Sequence, residues 1–299
     1  MKVIVHGGAG GEPDEPTPRQ AVLDEAASVG GEQETVVDAV EAAVHVLESS
    51  PRFNAGVGGA VQSDGEIRTD AGIMTSDREA GAACSMPGVE HAVSAARVVM
   101  EETPHVLVSG EHAVSLAADF GVETDIDLWT KKSRERWAGH DTPEGSPSQH
   151  LDLLREKFGG NAARSAAEKS SGGDPRDHDT VGAVAYDVEE FAAATSTGGR
   201  WLALAGRVGD VPQIGSGFYA APAGAASSTG AGEDIAKSTL TRRAVRHLES
   251  GFDAQEAADR AIEEFAELTG SSAGVIVLDR DGNAGSAFNS DAMQTAATR

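Results

Sequence analysis

Thr180-Val-Gly-Ala-Val-Ala-Tyr186 and, four residues later, Phe191-Ala-Ala-Ala-Thr-Ser-Thr197 are two short runs with almost no charge. Their length and composition read as a pair of buried strands. Working outward, Lys2-Val-Ile-Val-His6 reads as a third strand, ending in Gly7-Gly8-Ala9-Gly10-Gly11. Two more are expected near Gly65 to Thr69 and Ala80 to Met86. Val275 to Leu278 and Ala284 to Phe288, separated by Asp281-Gly282, read as a closing hairpin. Between these groups lie helices. Val37, Val40, Val44 and Leu47 recur at helical spacing before Pro51, and Val89, Val93, Ala96 and Met100 before Pro104. Further helices are expected at Glu233 to Leu248 and at Ala254 to Leu268, the latter burying Ala258, Ala261, Ile262, Phe265 and Leu268. Strands in groups with helix pairs between them favour sheet packed on sheet with helices outside, an α+β class.

The segment 139–178 breaks this pattern. Gly, Pro, Ser, Asp and Glu dominate it, apart from a helical patch at Leu151 to Phe158. So long a polar stretch inside a compact chain reads as a mobile linker.

Across 299 residues, 48 acidic side chains face 24 basic ones, a formal net charge of −24. A surface this acidic repels a phosphate backbone, which excludes nucleic acid as a partner. Self-repulsion of that size is tolerated best when salt screens it, so a halophilic protein is expected. No run approaches the ~18 apolar residues of a membrane span, so no membrane partner is expected. The first strand lacks the apolar core of a signal peptide, and the expected location is cytoplasmic. Cys84 is the only cysteine, which rules out an internal disulfide and a cysteine-based zinc cage.

The glycine-rich loops imitate phosphate-binding motifs and fail on inspection. Gly56-Val-Gly-Gly-Ala-Val61 lacks the last glycine of the dinucleotide fingerprint, and the stretch before Lys237-Ser238 has no P-loop glycines where they are needed. The nine histidines show no metal-binding spacing, and no G-x-S-x-G elbow occurs. What remains is a set of hydroxyls. Thr180 opens a buried strand after the polar segment, Thr197 closes the next one, and Thr229-Gly230 is read as opening a helix. Any single threonine is adequately explained by strand preference or helix capping. A threonine whose own α-amine is free, however, carries an internal base titrating near pH 8. Cutting the chain between Asp179 and Thr180 would create that amine.

His6-Gly-Gly-Ala-Gly10, Phe53-Asn-Ala-Gly-Val-Gly58, His178-Asp-Thr-Val-Gly-Ala-Val-Ala185, Ala194-Thr-Ser-Thr-Gly-Gly199, Gly206-Arg-Val-Gly-Asp210 and Ser228-Thr-Gly-Ala-Gly-Glu233 occur in this order. Together they resemble the plant-type (type 2) L-asparaginase and isoaspartyl aminopeptidase family of N-terminal-nucleophile hydrolases. The resemblance covers essentially the whole chain. It implies one domain, a four-layer αββα sandwich over 1–299, autocleaved into an α chain 1–179 and a β chain 180–299 and paired as (αβ)₂. It implies that strain at the scissile peptide drives the cut, with a mobile Gly7-Gly8 loop nearby. The substrate would be a small amino acid or dipeptide bearing a side-chain aspartyl amide.

The resemblance also assigns roles. Thr180 would be the nucleophile, Thr197 would orient its hydroxyl, and the Thr229 hydroxyl with the Gly230 N–H would form an oxyanion hole. Arg207 would pair with the substrate α-carboxylate, Asp210 with its α-ammonium, and Gly232 would line the same pocket. No cofactor or metal is implied for catalysis, while the backbone loop near Asn54 leaves room for a structural monovalent cation. Two departures alter the pocket rim: Asp70-Ala71-Gly-Ile-Met-Thr-Ser76, and the turn Arg200-Trp-Leu-Ala-Leu-Ala-Gly-Arg207. The altered turn, with Asp rather than Gly before Thr180, keeps glycosylasparaginase open as an alternative. An uncleaved binding protein on the same fold is the other.

Overall fold

The structure is a computed structural model describing residues 1–140, 145–158, 180–188 and 190–298. Asp179 and most of the 139–178 linker lie outside the described residues. The first half of the chain contains β1 (Lys2–Gly10), α1 (Pro16–Gly31), α2 (Val36–Glu48), β2 (Arg68–Thr75), β3 (Ala80–Pro87) and α3 (Ala92–Glu102). It continues with β4 (Leu107–Ser109), α4 (Gly110–Asp119), α5 (Lys131–Ala138) and α6 (Pro147–Phe158). The second half contains β5 (Val181–Asp187), β6 (Glu190–Thr197), β7 (Phe218–Ala221) and β8 (Gly224–Gly230). After these come α7 (Gly232–Ser238), α8 (Leu240–Glu249), α9 (Ala254–Thr269), β9 (Ala273–Asp279), β10 (Ala284–Phe288) and β11 (Ala292–Ala297).

Seven strands form one sheet in the order β11-β1-β5-β6-β2-β3-β4, and four form a second, β10-β9-β8-β7. The period-2 alternation of strands distributes side chains among three cores. Val3, Val5, Val181, Ala183 and Ala185 face the core shared with α1 to α4. Ile4 and Val184 point the other way, joining Phe191, Phe218, Ile276 and Leu278 between the two sheets. Val275 and Val277 turn outward again, against the helices that follow β8. The result is helix, sheet, sheet, helix, the αββα sandwich expected from the motifs. Strands buried on both faces explain why 180–186 and 191–197 carry so little polar alternation.

Several local expectations need correction. The strand placed at Gly65 to Thr69 begins at Arg68 and runs to Thr75, because Asp70 to Met74 pair with β6. Thr229-Gly230 does not open a helix; it ends β8, and the helix begins at Gly232. The helix expected over Glu233 to Leu248 is two, broken at Thr239 with φ 54° and ψ 56°. A β-branched residue in that left-handed region costs about 1–3 kcal/mol, and no glycine or proline marks the break. Leu268, expected to be buried, is exposed. Gly7 and Gly8 sit inside β1 at a shift of register against β11, and Arg19 Nη2 donates to the Gly7 carbonyl.

Candidate active site

The β5–β6 register pairs Val181 with Ser196, so one step further along the same ladder sets Thr180 opposite Thr197. The Thr180 hydroxyl donates to Thr197 Oγ1 at 3.2 Å. Thr197 in turn donates to the Asn54 carbonyl at 3.4 Å and accepts from Gly199 N at 3.1 Å. Its own hydrogen is therefore engaged, which leaves Thr197 as an acceptor for the Thr180 hydroxyl. Both side chains are buried. Asn54 fixes this corner: its Nδ2 donates to Gly199 O (2.6 Å), its Oδ1 accepts from Ala60 N (2.8 Å), and its carbonyl accepts from Gly198 N (2.8 Å).

Beneath this corner, a layer of neutral polar groups joins the two sheets. Thr195 Oγ1 donates to Gly217 O (2.9 Å) and lies 2.6 Å from Ser227 Oγ, which is 2.9 Å from His6 Nε2. Because Thr195 gives its hydrogen to Gly217, Ser227 donates to Thr195 and the imidazole donates to Ser227. Complete burial lowers the His6 pKa to about 3, with the Thr180 backbone opposing and Arg19 reinforcing the shift. His6 is thus neutral. Gly182, across from His6 in the β1–β5 register, leaves the space this contact needs, since a Cβ there would lie 2.6 Å from His6 Nε2. Thr229 belongs to the same interior, fully buried, accepting from Ala9 N at 3.3 Å. Next to it Gly230 adopts φ +135°, a conformation open to glycine, and a side chain there would strike Ala273 and Ser272 O at 2.6 Å.

The charged residues lie apart from these hydroxyls. Arg207 Nε and Nη2 both reach Glu233 Oε1 at 2.8 Å. Asp210 is buried, and its Oδ2 has no hydrogen-bond partner among the described residues. Burial raises its pKa to about 7, with Arg207 opposing and Glu233 and Asp70 adding to the rise. Gly232 packs directly on this pair: a Cβ would stand 2.7 Å from Asp210 Oδ1 and 2.8 Å from Arg207 Nη2. Any side chain there would fill the space over the guanidinium, so Gly232 keeps the Arg207–Asp210 face open.

Four residues that sequence reasoning did not single out complete the arrangement. Asp70 sits opposite Thr197 in the β2–β6 register, accepts from Ser85 N at 2.7 Å, and is raised to about 7 by burial. The Arg207 charge opposes that rise. Gln62 holds the Arg207 loop, accepting from Gly206 N (2.8 Å) while its Nε2 donates to Arg207 O (3.4 Å). Ser63 accepts from Ala205 N (3.1 Å). Glu233 closes the Ser228–Glu233 motif, and the structure shows it to be the carboxylate that Arg207 holds. Gln62 and Ser63 lie in no motif, and although Asp70 and Glu233 fall in quoted stretches, only the pairing across the sheet and turn reveals their contacts. In the departed turn, Trp201 and Leu202 are buried with Val61, Ile67 and Leu128. Packing therefore accounts for its apolar composition.

Comparison with known proteins identifies the family. A family model described as asparaginase matches residues 1–299. The plant-type L-asparaginases of Pyrococcus abyssi and Thermococcus kodakarensis are each 39% identical, covering 99% and 98% of this chain and 95% of their own length. An isoaspartyl peptidase/L-asparaginase of Danio rerio is 36% identical over 99% of this chain and 92% of its own. With its motifs in order, its two-sheet sandwich and a match spanning the whole length, the chain belongs to the asparaginase family.

Proposed function

We propose that this protein hydrolyses the side-chain amide of L-asparagine and of β-aspartyl dipeptides, with Thr180 as an autocatalytically released nucleophile. The observation that carries the reading is the 3.2 Å hydrogen bond from Thr180 to a Thr197 hydroxyl whose own hydrogen is already committed.

In maturation, Thr180 Oγ1 adds to the Asp179 carbonyl carbon and the C–N bond breaks, leaving an ester. Water opens the ester, giving the Asp179 carboxyl group and a free Thr180 amine. In turnover, that amine takes the hydroxyl proton while the oxygen adds to the substrate amide carbon. The oxyanion is received by the Thr229 hydroxyl and Gly230 N–H, each such donor being worth ~2.7–4 kcal/mol. Ammonia or the peptide amine leaves with a proton, and water releases L-aspartate from the acyl-enzyme. Arg207 takes the substrate α-carboxylate. Asp210, whose buried Oδ2 has no partner among the described residues, takes the α-ammonium.

Near Asn54, the Glu48 and Glu90 carbonyls converge on Gly56, where a Cβ would be 2.8 Å from Glu90 O. Backbone oxygens suit a hard cation, so this loop leaves room for a structural monovalent ion. Pairing into (αβ)₂ is a further part of the proposal, favoured by half-exposed Val106 and Leu107 at the edge strand β4. The charge of −24 favours a salt-requiring enzyme, and undiminished stability at low salt would remove that part alone; the proposed cytoplasmic location rests on the first strand's lack of a signal-peptide core. No helix among the described residues is long and apolar enough to cross a membrane.

The decisive experiment is a denaturing gel with N-terminal sequencing, followed by rates on asparagine, a β-aspartyl dipeptide and a glycosylated asparagine. The expected result is two fragments starting at Met1 and Thr180, with hydrolysis of the first two substrates. A single uncut band after prolonged incubation in high salt, without turnover, would favour the binding-protein alternative. Cleavage of the glycosylated substrate alone would favour glycosylasparaginase.

A further inference from the structure

On the far side of Ser196 from the inter-sheet layer, His45 and Glu48 of α2 meet His91, the residue preceding α3. One ligand atom from each lies within 4.8 Å of the other two. The spacing of three puts His45 and Glu48 on one helix face. Glu48 is completely buried, whereas the His45 and His91 side chains are 35% and 31% exposed. The cluster is therefore closed at the carboxylate and open to solvent at the imidazoles.

Hydrogen bonding divides the Glu48 carboxylate in two. Its Oε1 accepts from Val93 N at 3.1 Å and from Ser196 Oγ at 2.5 Å. Among the described residues neither its Oε2 nor His91 Nδ1 has a hydrogen-bond partner, and the two atoms face each other as an ion pair at 3.4 Å. Two ligands at ordinary zinc distances, about 2.0–2.1 Å from a tetrahedral ion, lie about 3.3–3.4 Å from each other. The 3.4 Å gap matches the edge of such a coordination tetrahedron. The rings of His45 and His91 are 4.1 Å apart and tilted by 35°, so both present nitrogen to the same region.

His45 is held as a ligand usually is. Ser94 donates to Glu41 Oε1 at 2.7 Å and lies 2.7 Å from His45 Nε2. Since the serine hydrogen goes to Glu41, the imidazole donates to Ser94, which leaves the lone pair on its other nitrogen. A ligating histidine whose second nitrogen is tied to a carboxylate, here through one hydroxyl, has its ring orientation fixed. Glu41 and Glu90 lie 3.8 and 3.9 Å from the two histidines and add negative potential at the mouth.

We propose that His45, Glu48 and His91 bind one zinc-class divalent transition-metal ion, with solvent as the fourth ligand. Two imidazoles and one carboxylate favour zinc, cobalt or nickel over magnesium and calcium, which prefer oxygen alone. The donor set is distinct from the backbone oxygens near Asn54. The ion would clamp α2, the start of α3 and, through Glu48 and Ser196, the strand that carries Thr197. The site stands independently of the threonine chemistry.

The test uses the full chain in the form in which it purifies, stripped with a chelator and titrated with Zn²⁺ by calorimetry. Co²⁺ absorption serves as a second readout. One equivalent per chain is expected, with the visible bands of four-coordinate Co²⁺ and a Zn²⁺-dependent rise in Tm. His45→Gln and His91→Gln should each weaken binding at least tenfold and lose the Co²⁺ bands. His112→Gln, on exposed α4, should leave both unchanged. Both half-exposed variants should keep wild-type asparagine hydrolysis, which shows that they fold. Absence of one-to-one binding, equal binding by the His45 and His91 variants, or equal competition by Mg²⁺ would overturn the assignment.

Discussion

Around Thr180 the side chains are neutral, buried and hydrogen-bonded in series, from Thr180 to Thr197 to the Asn54 carbonyl. Around Arg207 they are charged, and Glu233 reaches the surface half exposed. The first region fixes one hydroxyl by using up the hydrogens around it, so neither pH nor salt easily disturbs its geometry. The second holds a guanidinium beside a carboxylate whose pKa burial has raised to about 7, so it responds to both. The proposed function assigns bond making to the neutral half and recognition of a zwitterion to the charged half. Perturbing each half in turn should separate these tasks.

The largest effect is expected from Thr180→Ala. Loss of a nucleophile costs about 10⁵–10⁶ in kcat, and here it should also leave the chain uncut. Retained hydrolysis would mean that the nucleophile lies elsewhere. Arg207→Ala should fall next, because truncating one member of a desolvated charge pair costs about 2–5 kcal/mol, or roughly 30- to 4,000-fold in kcat/KM. Self-cleavage should survive, since the Asp179–Thr180 peptide presents no α-carboxylate to Arg207. If Arg207→Ala also stayed uncut, the two halves would not be separable. Thr197→Val removes only an orienting acceptor, worth about 1–2 kcal/mol, and should lower kcat by ~5- to 30-fold with little change in KM.

The acidity of Asp210 gives a sharper contrast. Its folded pKa of about 7 lies above the ordinary 3.8, because burial disfavours the anion. The folded state therefore binds its proton more tightly than the unfolded chain does. Stability linked to Asp210 is largest at low pH and declines as pH rises from about 4 to 7. Substrate capture runs oppositely, since only the carboxylate holds an ammonium. Below pH 7, protonation of Asp210 should add about a further tenfold fall in kcat/KM per unit to the decline set by the Thr180 amine. Asp210→Asn should remove that added steepness, lower kcat/KM, and raise Tm at pH 8 but not at pH 4. His6 is linked with the other sign. Its folded pKa of about 3 lies below 6.5, so its contribution is complete above 6.5 and is lost as pH falls toward 3.

How much of this the sequence disclosed follows the same division. Apolar runs exposed the buried strands, and helical spacing exposed α2 and α3, because hydrophobic burial leaves a periodic trace. The hydroxyl set and the Arg207–Asp210 pair were readable as motifs because each sits at a strand end or tight turn with glycine beside it. Asp70 was not, since its importance comes from lying across β2–β6 from Thr197, a pairing far apart in sequence. The break at Thr239 was hidden for another reason: tertiary packing holds a threonine where local preference would continue the helix. The His45–Glu48–His91 cluster combines an i,i+3 pair with a residue more than forty positions away, so no metal spacing appeared in the sequence.

Glu233 tests where the boundary between the halves runs. It is half exposed, and its single oxygen Oε1 takes both the Nε and Nη2 bonds of Arg207. Were Glu233 the true partner of Arg207, its removal would unbalance a buried charge and damage the site. Were it a screened tether on the solvent side, a substrate carboxylate could share the guanidinium with it at little cost. Exposed pairs are worth about 0.2–1 kcal/mol, so Glu233→Gln should move KM by less than about fivefold and leave kcat unchanged. The sign is informative as well: removing a competing carboxylate lowers KM, whereas losing a tether raises it. A change approaching that of Arg207→Ala would place Glu233 inside the recognition site and extend the charged half out to the surface.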